Sequence, residues 1–237
     1  MNDEVNAAIE QWVADGNSFK DWSVAEWQKT WWTPSWNIAP HAQAPLLFAQ
    51  AHEDAPTELR AESAYWTLLS PWDKVPKDVK FKFNARSETA HELNSWRGPL
   101  KSHRGIVLAN GYYEWQGDKP PKTPFFIRNP DEPILGFAAL YSWWEDRAKP
   151  KDDESRWMLT TAFLTSDAVQ TLEDIHDREP VILPRELWQQ WLDPSVVGDK
   201  ALVDQAVRAG VTQASHLVAH QVAPVRGDGP RLVEPIG

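Results

Sequence analysis

"GIVLANGYYEWQGDKPPKTPFFIRN", residues 105–129, decides the fold. An apolar and aromatic run, Gly105 to Gln116, is followed by a proline-rich turn, 117–124, and a second β-prone run, 124–129. Two such runs about a turn read as antiparallel strands and not as helix. Side chains alternate between the two faces of a strand, so Tyr112 and Glu114 share one face and Tyr113 and Trp115 the other. A carboxylate beside apolar rings is partly desolvated, which raises its pKa and makes a glutamate usable as a proton donor or acceptor near neutral pH. On residues 110–117 alone the plainer reading, a surface strand with a solvated glutamate, is the better one.

Working outward, the middle of the chain repeats this character. "APLLFAQ" (44–50), "ESAYWTLLS" (62–70), "FKFNARSE" (81–88), "ILGFAALYSWW" (134–144) and "RWMLTTAFLTS" (156–166) are short β-prone runs separated by turn-forming stretches. The charged stretch 145–155 reads as a loop between strands. Residues 4–15 carry Val5, Ala8, Ile9, Trp12 and Val13 at helical spacing, with Gly16 as a stop. A second short helix is expected over 23–31, and later ones in "PRELWQQWL" (184–192) and near 199–209. A final strand is expected in "HLVAHQVAP" (216–224). With no internal repeat and no long linker, residues 1–237 are expected to form a single α+β domain. Its sheet would be mixed, mainly antiparallel and barrel-like, flanked by helices.

The 237 residues are 24% charged and 42% hydrophobic, ordinary globular values. No apolar run is long enough to span a bilayer and no signal-peptide pattern opens the chain, so a cytoplasmic protein without membrane contact is expected. Cysteine is absent, which rules out disulfides, thiolate metal sites and cysteine nucleophiles within this chain. The net charge of −10 counts against a nucleic-acid binder, although a local basic groove can sit on an acidic protein. Fifteen tryptophans are the anomaly. Such rings fill cores, stack on bases or stack on sugars.

Four stretches crowd polar groups where a plain core strand would not. They are Asn37 before a proline turn, "FNARSE" with Asn84, Arg86 and Glu88 at alternate positions, Glu114, and His176–Asp177–Arg178–Glu179 before Pro180. Each has a structural alternative. Asn37 could hold a turn, Arg86 and Glu88 could form a surface ion pair of small value, and "HDRE" could be a solvated loop.

Taken in order, these stretches resemble the SRAP family of abasic-site processing proteins. The resemblance rests on Asn37–Pro40 (NIAP), Trp66–Trp72 (WTLLSPW), Asn84–Glu88 (NARSE), Gly111–Trp115 (GYYEW), Thr165–Ala168 and Ile175–Pro180 (IHDREP), and covers roughly residues 5–225. It implies recognition of abasic sites in single-stranded DNA and covalent capture of the opened sugar aldehyde, in the DNA damage response. The capturing group would be the α-amine and thiol of a cysteine exposed by initiator Met removal, closing a thiazolidine ring. By the same resemblance Asn84 positions the reacting terminus, Glu114 shuttles protons at the amine and His176 assists sugar ring-opening and crosslink reversal. Asn37, Pro40, Trp66, Trp72, Arg86, Trp115, Thr165 and Arg178 would contact DNA. A peptidase- or lyase-like activity is implied. No metal cluster or phosphate-cradling glycine loop is visible in the sequence, so no cofactor and no metal are expected, and a monomer is expected.

The chain departs from the family at its start. The family opens Met-Cys-Gly-Arg-Phe, whereas this chain opens "MNDEV". The expectation is that Met1 is internal and the element lies upstream; a diverged, non-covalent member is the other explanation. Asn110, Gly105, Thr67 and Glu179 are milder departures. Two rival functions follow. One is a single-stranded DNA-binding module without crosslinking. The other is a carbohydrate-active hydrolase using Glu88 and Glu114 among tryptophans.

Overall fold

The computed structural model describes residues 2–15, 22–24, 32–168 and 172–236. Its centre is a closed ring of five strands: β2 (Gln43–Gln50), β3 (Thr57–Trp66), β5 (Arg104–Ala109), β8 (Leu135–Glu145) and β9 (Trp157–Asp167). Antiparallel pairings run β3–β2–β5–β8–β9, and a short parallel pairing of Tyr65–Trp66 with Thr160–Thr161 closes the ring. Three further strands extend it. β1 (Trp22–Val24) lies parallel to β3, β4 (Asn84–Arg86) parallel to β9, and β10 (Arg178–Pro180) antiparallel to β9. A separate sheet holds β6 (Tyr112–Gln116), β7 (Thr123–Arg128) and β11 (Val218–Gln221), antiparallel in the order β11–β7–β6. The sheet is therefore mixed and mainly antiparallel, within an α+β fold.

Strict alternation divides the apolar residues between two cores. On β8 and β9, Ala138, Leu140, Ala162 and Leu164 join one cluster, while Phe137, Ala139, Tyr141 and Leu159 join the other. The first cluster also receives Val5, Ile9 and Trp12 from α1 (Asn2–Ala14), and Trp96 and Leu100 from α2 (Asn94–Ser102). Trp188 and Trp191 from α3 (Arg185–Leu192), and Leu202 and Val203 from α4 (Lys200–Ala214), complete it. A helix about 10 Å across does not fit inside a five-stranded ring, so the helix-bearing cluster is the outer one. The second lines the interior and its mouth, where Tyr112 and Ile175 pack against it.

The helix at the chain start and both late helices match the sequence pattern, and α4 is preceded by its N-cap Asp199, whose carboxylate accepts from the Leu202 N–H at 2.9 Å. Gly16 lies outside the described residues. The helix expected over 23–31 is corrected in part: residues 22–24 are a strand paired to β3, and 25–31 lie outside the described residues. α2 was not legible because Gly98 and Pro99 fall within it, both poor helix residues. The single run Gly105–Gln116 divides into two strands at Asn110–Gly111. A Cβ on Gly111 would strike the Ile127 carbonyl and the Phe126 ring, so the chain can cross from barrel to small sheet there only as glycine.

Candidate active site

β6 alternates as its sequence demands. Tyr113 stacks near Phe126 and Trp115 and donates its hydroxyl to the Trp36 carbonyl at 2.8 Å, while Trp115 is 41% exposed. Tyr112, Glu114 and Gln116 take the opposite face. Gln116 donates to the Asp174 carbonyl at 2.8 Å, tying that face to the turn that precedes His176. Tyr112 sets its ring edge-on to Phe137 at 5.9 Å, over the barrel interior. Its hydroxyl is buried without a hydrogen-bond partner, and burial, with the charges of Glu179 and Glu114, pushes its pKa well above the usual tyrosine value.

Glu114 sits between these two residues on the same face. Burial pushes its carboxyl above the ordinary glutamate range. A charge on His176 and the Trp115 backbone N–H act in the other direction, and Asp177 adds to the rise. His176 therefore lies within electrostatic reach of Glu114, on a half-exposed ring whose Nδ1 meets the Arg178 N–H at 3.0 Å and Asp177 Oδ1 at 3.2 Å. The pair joins an acid–base group of raised pKa to an imidazole open to solvent.

Asn84 enters from β4. Its register partner is Phe163, whose ring lies 5.7 Å from Phe137 and 4.7 Å from Trp66. Parallel neighbours in register point to the same face, so Asn84 joins the row Trp66–Phe163–Phe137–Tyr112 at the barrel mouth. Its Oδ1 is buried and accepts no hydrogen bond, an open acceptor on this face. Arg86, two residues on, is exposed, and its side chain makes no hydrogen bond or ion pair among the described residues.

The remaining candidates divide. Trp72 is 59% exposed and, like Trp115, presents ring surface to solvent. Trp66 is half-buried, donating its indole N–H to the Phe83 carbonyl at 2.9 Å, and acts as a wall of the row. Thr165 is buried on β9, its carbonyl receiving Arg178 Nη2 at 2.7 Å. Arg178 is also held by Glu88 at 2.7 Å and Asp167 at 2.6 Å, so its fork of donors is already occupied by two carboxylates. Asn37 holds a loop, donating to the Gly227 carbonyl at 2.9 Å, and Pro40 lies in the turn that leads to β2. Sequence reasoning passed over Tyr112 as a functional group. Its position two residues before Glu114 on one strand face was the available signal.

Among the described residues no group of three or more His, Cys, Asp or Glu could hold a metal ion, and no helix is long and apolar enough to cross a membrane.

Comparison with known proteins gives these features a context. The chain is 35% identical over 162 residues to the abasic site processing protein YoqW of Bacillus subtilis, covering 68% of this chain and 67% of that one. It is 32% identical over 229 residues to the abasic site processing protein HMCES of Gallus gallus, covering 86% of this chain and 66% of that one. With YedK of Escherichia coli, also an abasic site processing protein, identity is 31% over 207 residues, 85% and 84% of the two chains. A crystal structure of a Bacteroides thetaiotaomicron protein shares the fold, with a TM-score of 0.64 at 24% identity over 83% of this chain and 82% of that one. The sequence model of the SOS response associated peptidases matches residues 5–225. The ring of strands, the row of aromatic side chains at its mouth and Glu114 beside His176 are thus features of a chain that belongs to the SRAP family.

Proposed function

We propose that this chain, as one domain, processes abasic sites by holding a single-stranded DNA segment across the barrel mouth and bringing its opened sugar to Glu114. The observation that carries the reading is the half-buried carboxyl of Glu114, raised in pKa by its partial desolvation and paired electrostatically with a half-exposed His176. The chemistry it suits is imine formation at an aldehyde. A neutral amine attacks the sugar carbonyl carbon, a proton moves from nitrogen to oxygen, and the carbinolamine loses water to give the imine. Each proton transfer needs a group that both accepts and donates near neutral pH, which a desolvated glutamate supplies. His176 serves the ring-opening that exposes the aldehyde. The open Oδ1 of Asn84 accepts a hydrogen bond from the attacking amine and positions it. Addition of a thiol to the imine carbon then closes a five-membered ring and makes the adduct persist.

These 237 residues contain no cysteine, so this polypeptide alone supplies no such thiol. That observation favours a second reading for the chain as it stands: reversible or non-covalent binding of abasic single-stranded DNA at the same face. Arg86 and the exposed rings of Trp72 and Trp115 are suited to phosphate and base contacts that do not read sequence. Anisotropy titrations with abasic single-stranded, intact single-stranded and duplex oligonucleotides test both readings. Preference for the abasic single strand is expected; equal affinity for intact duplex contradicts them.

A further inference from the structure

Strands β3 and β4 lie along the same partner. Trp66 is in register with Thr161 of β9 and Asn84 with Phe163, so two segments 18 positions apart in sequence lie two residues apart on β9. The chain between them leaves the barrel edge and returns to it. It is tied at its base by the Leu68 N–H to the Lys82 carbonyl at 2.9 Å and by the Trp66 indole to the Phe83 carbonyl. Such closed surface excursions are compact and frequently functional.

Between Pro71 and Lys82 this excursion carries four lysines against two aspartates, in a chain whose net charge is −10. Lys82 is held by Asp73 at 2.8 Å and lies 5.6 Å from the Trp72 ring. Lys74, Lys77 and Lys80 are exposed and make no hydrogen bond or ion pair among the described residues. Phe81 is 80% exposed and sits at a φ of 66°, a conformation that a bulky side chain adopts only at a cost. Neither burial nor backbone preference explains a phenylalanine there.

We propose that residues 71–82 form a second nucleic-acid contact, which takes nucleotides flanking the one at Glu114. Lys74, Lys77 and Lys80 would meet the phosphates, and Phe81 would stack on a base. The inference rests on the reading of the site as a single-stranded DNA site. Phe81 and Lys82 run directly into Asn84 and Arg86, so a strand lying on the barrel mouth continues onto the excursion. Basic side chains interleaved with exposed rings are the chemistry that holds single strands without reading sequence.

The test uses the full chain, a triple variant with Lys74→Gln, Lys77→Gln and Lys80→Gln, and Phe81→Gly, which relieves the backbone while removing the ring. None of these side chains is buried, so folding is retained, with circular dichroism as the check. Binding is measured across a salt series. One fluorescent abasic oligonucleotide covers only the reacting nucleotide and its immediate neighbours; the other is long enough to cross the excursion. On the long strand, the slope of log affinity against log salt is expected to become shallower by about 2 in the triple variant, since each phosphate contact contributes about 0.7. Phe81→Gly is expected to weaken the long strand by about tenfold. Neither variant should change binding of the short strand. Unchanged affinity and slope on the long strand, with wild-type binding intact, overturn this inference alone. Failure of the wild-type chain to bind either oligonucleotide overturns the DNA reading, and the inference falls with it.

Discussion

Two glutamates in this molecule carry opposite pH signatures, and both follow from their immediate neighbours. Burial raises the carboxyl of Glu114, so in the pH interval above the ordinary glutamate value the folded chain holds its proton more tightly than the unfolded chain does. Stability contributed there is lost as pH rises. Glu114→Gln removes this penalty while keeping the shape. Thermal melts should show the variant more stable than wild type by on the order of 1 kcal/mol at about pH 8, and no more stable at about pH 4. Glu88 is the reverse. Its hydrogen bond from Arg178 holds its carboxyl below the usual range, so it stabilises above the ordinary carboxylate pKa and that contribution fades as pH falls through the lowered value. Glu88→Gln should therefore lose stability at neutral pH and match wild type in acid. The sequence made Glu114 legible because period-two alternation is a local property. Arg178 was not legible in the same way. Its partner Glu88 lies 90 positions away, and no local pattern reveals that an arginine in an "HDRE" row is already taken.

At the scale of elements, the joint between helices and barrel depends on one buried cation. Arg104, 1% exposed at the start of β5, donates to five carbonyls. Two, Leu100 and Lys101, end α2; Trp191 lies in α3, and Asp193 and Val196 follow it. Burial lowers its pKa to about 10, so it stays charged at neutral pH. Arg104→Met would leave these carbonyls without their charged donor and should cost about 3–5 kcal/mol in urea unfolding. Arg104→Lys, with three donors in place of five, should recover only part. The strands were readable from their alternating, β-branched and aromatic runs. α2 was hidden by Gly98 and Pro99, and its helicity comes from the packing of Trp96 and Leu100 into the outer core. β10 was hidden because three residues carry no period; it exists through its pairing with Thr165–Asp167.

For the whole molecule, the acidic balance and the DNA reading are reconciled by where positive charge is left free. Arg178 is neutralised by Glu88 and Asp167, whereas Arg86 at the barrel mouth is exposed and unpaired among the described residues. Binding of abasic single strands should weaken steeply between low and physiological salt, because attraction must arise from this local charge against a repulsive net field. Arg86→Gln should lower affinity for every sequence alike and flatten the salt slope by about 0.7, measured by anisotropy. The succession of β-prone runs and helical periodicities foretold an α+β protein and the ordered motifs foretold the family. Closure of the ring by two residues of β3 against β9 is a long-range event that neither could express. The central claim is that the Glu114 face performs proton transfer for amine capture of an abasic aldehyde. Its most direct measurement is a denaturing gel of abasic single-stranded DNA incubated with three proteins. These are the chain as it stands, the chain with Cys-Gly-Arg-Phe joined before α1 and its Met removed, and that second protein carrying Glu114→Gln. The account predicts a heat-stable adduct from the cysteine-bearing protein, formation slowed by about 10²-fold or more in its Glu114→Gln form, and none from the cysteine-free chain without reductant. A heat-stable adduct from the cysteine-free chain, or full speed without the Glu114 carboxyl, would contradict it.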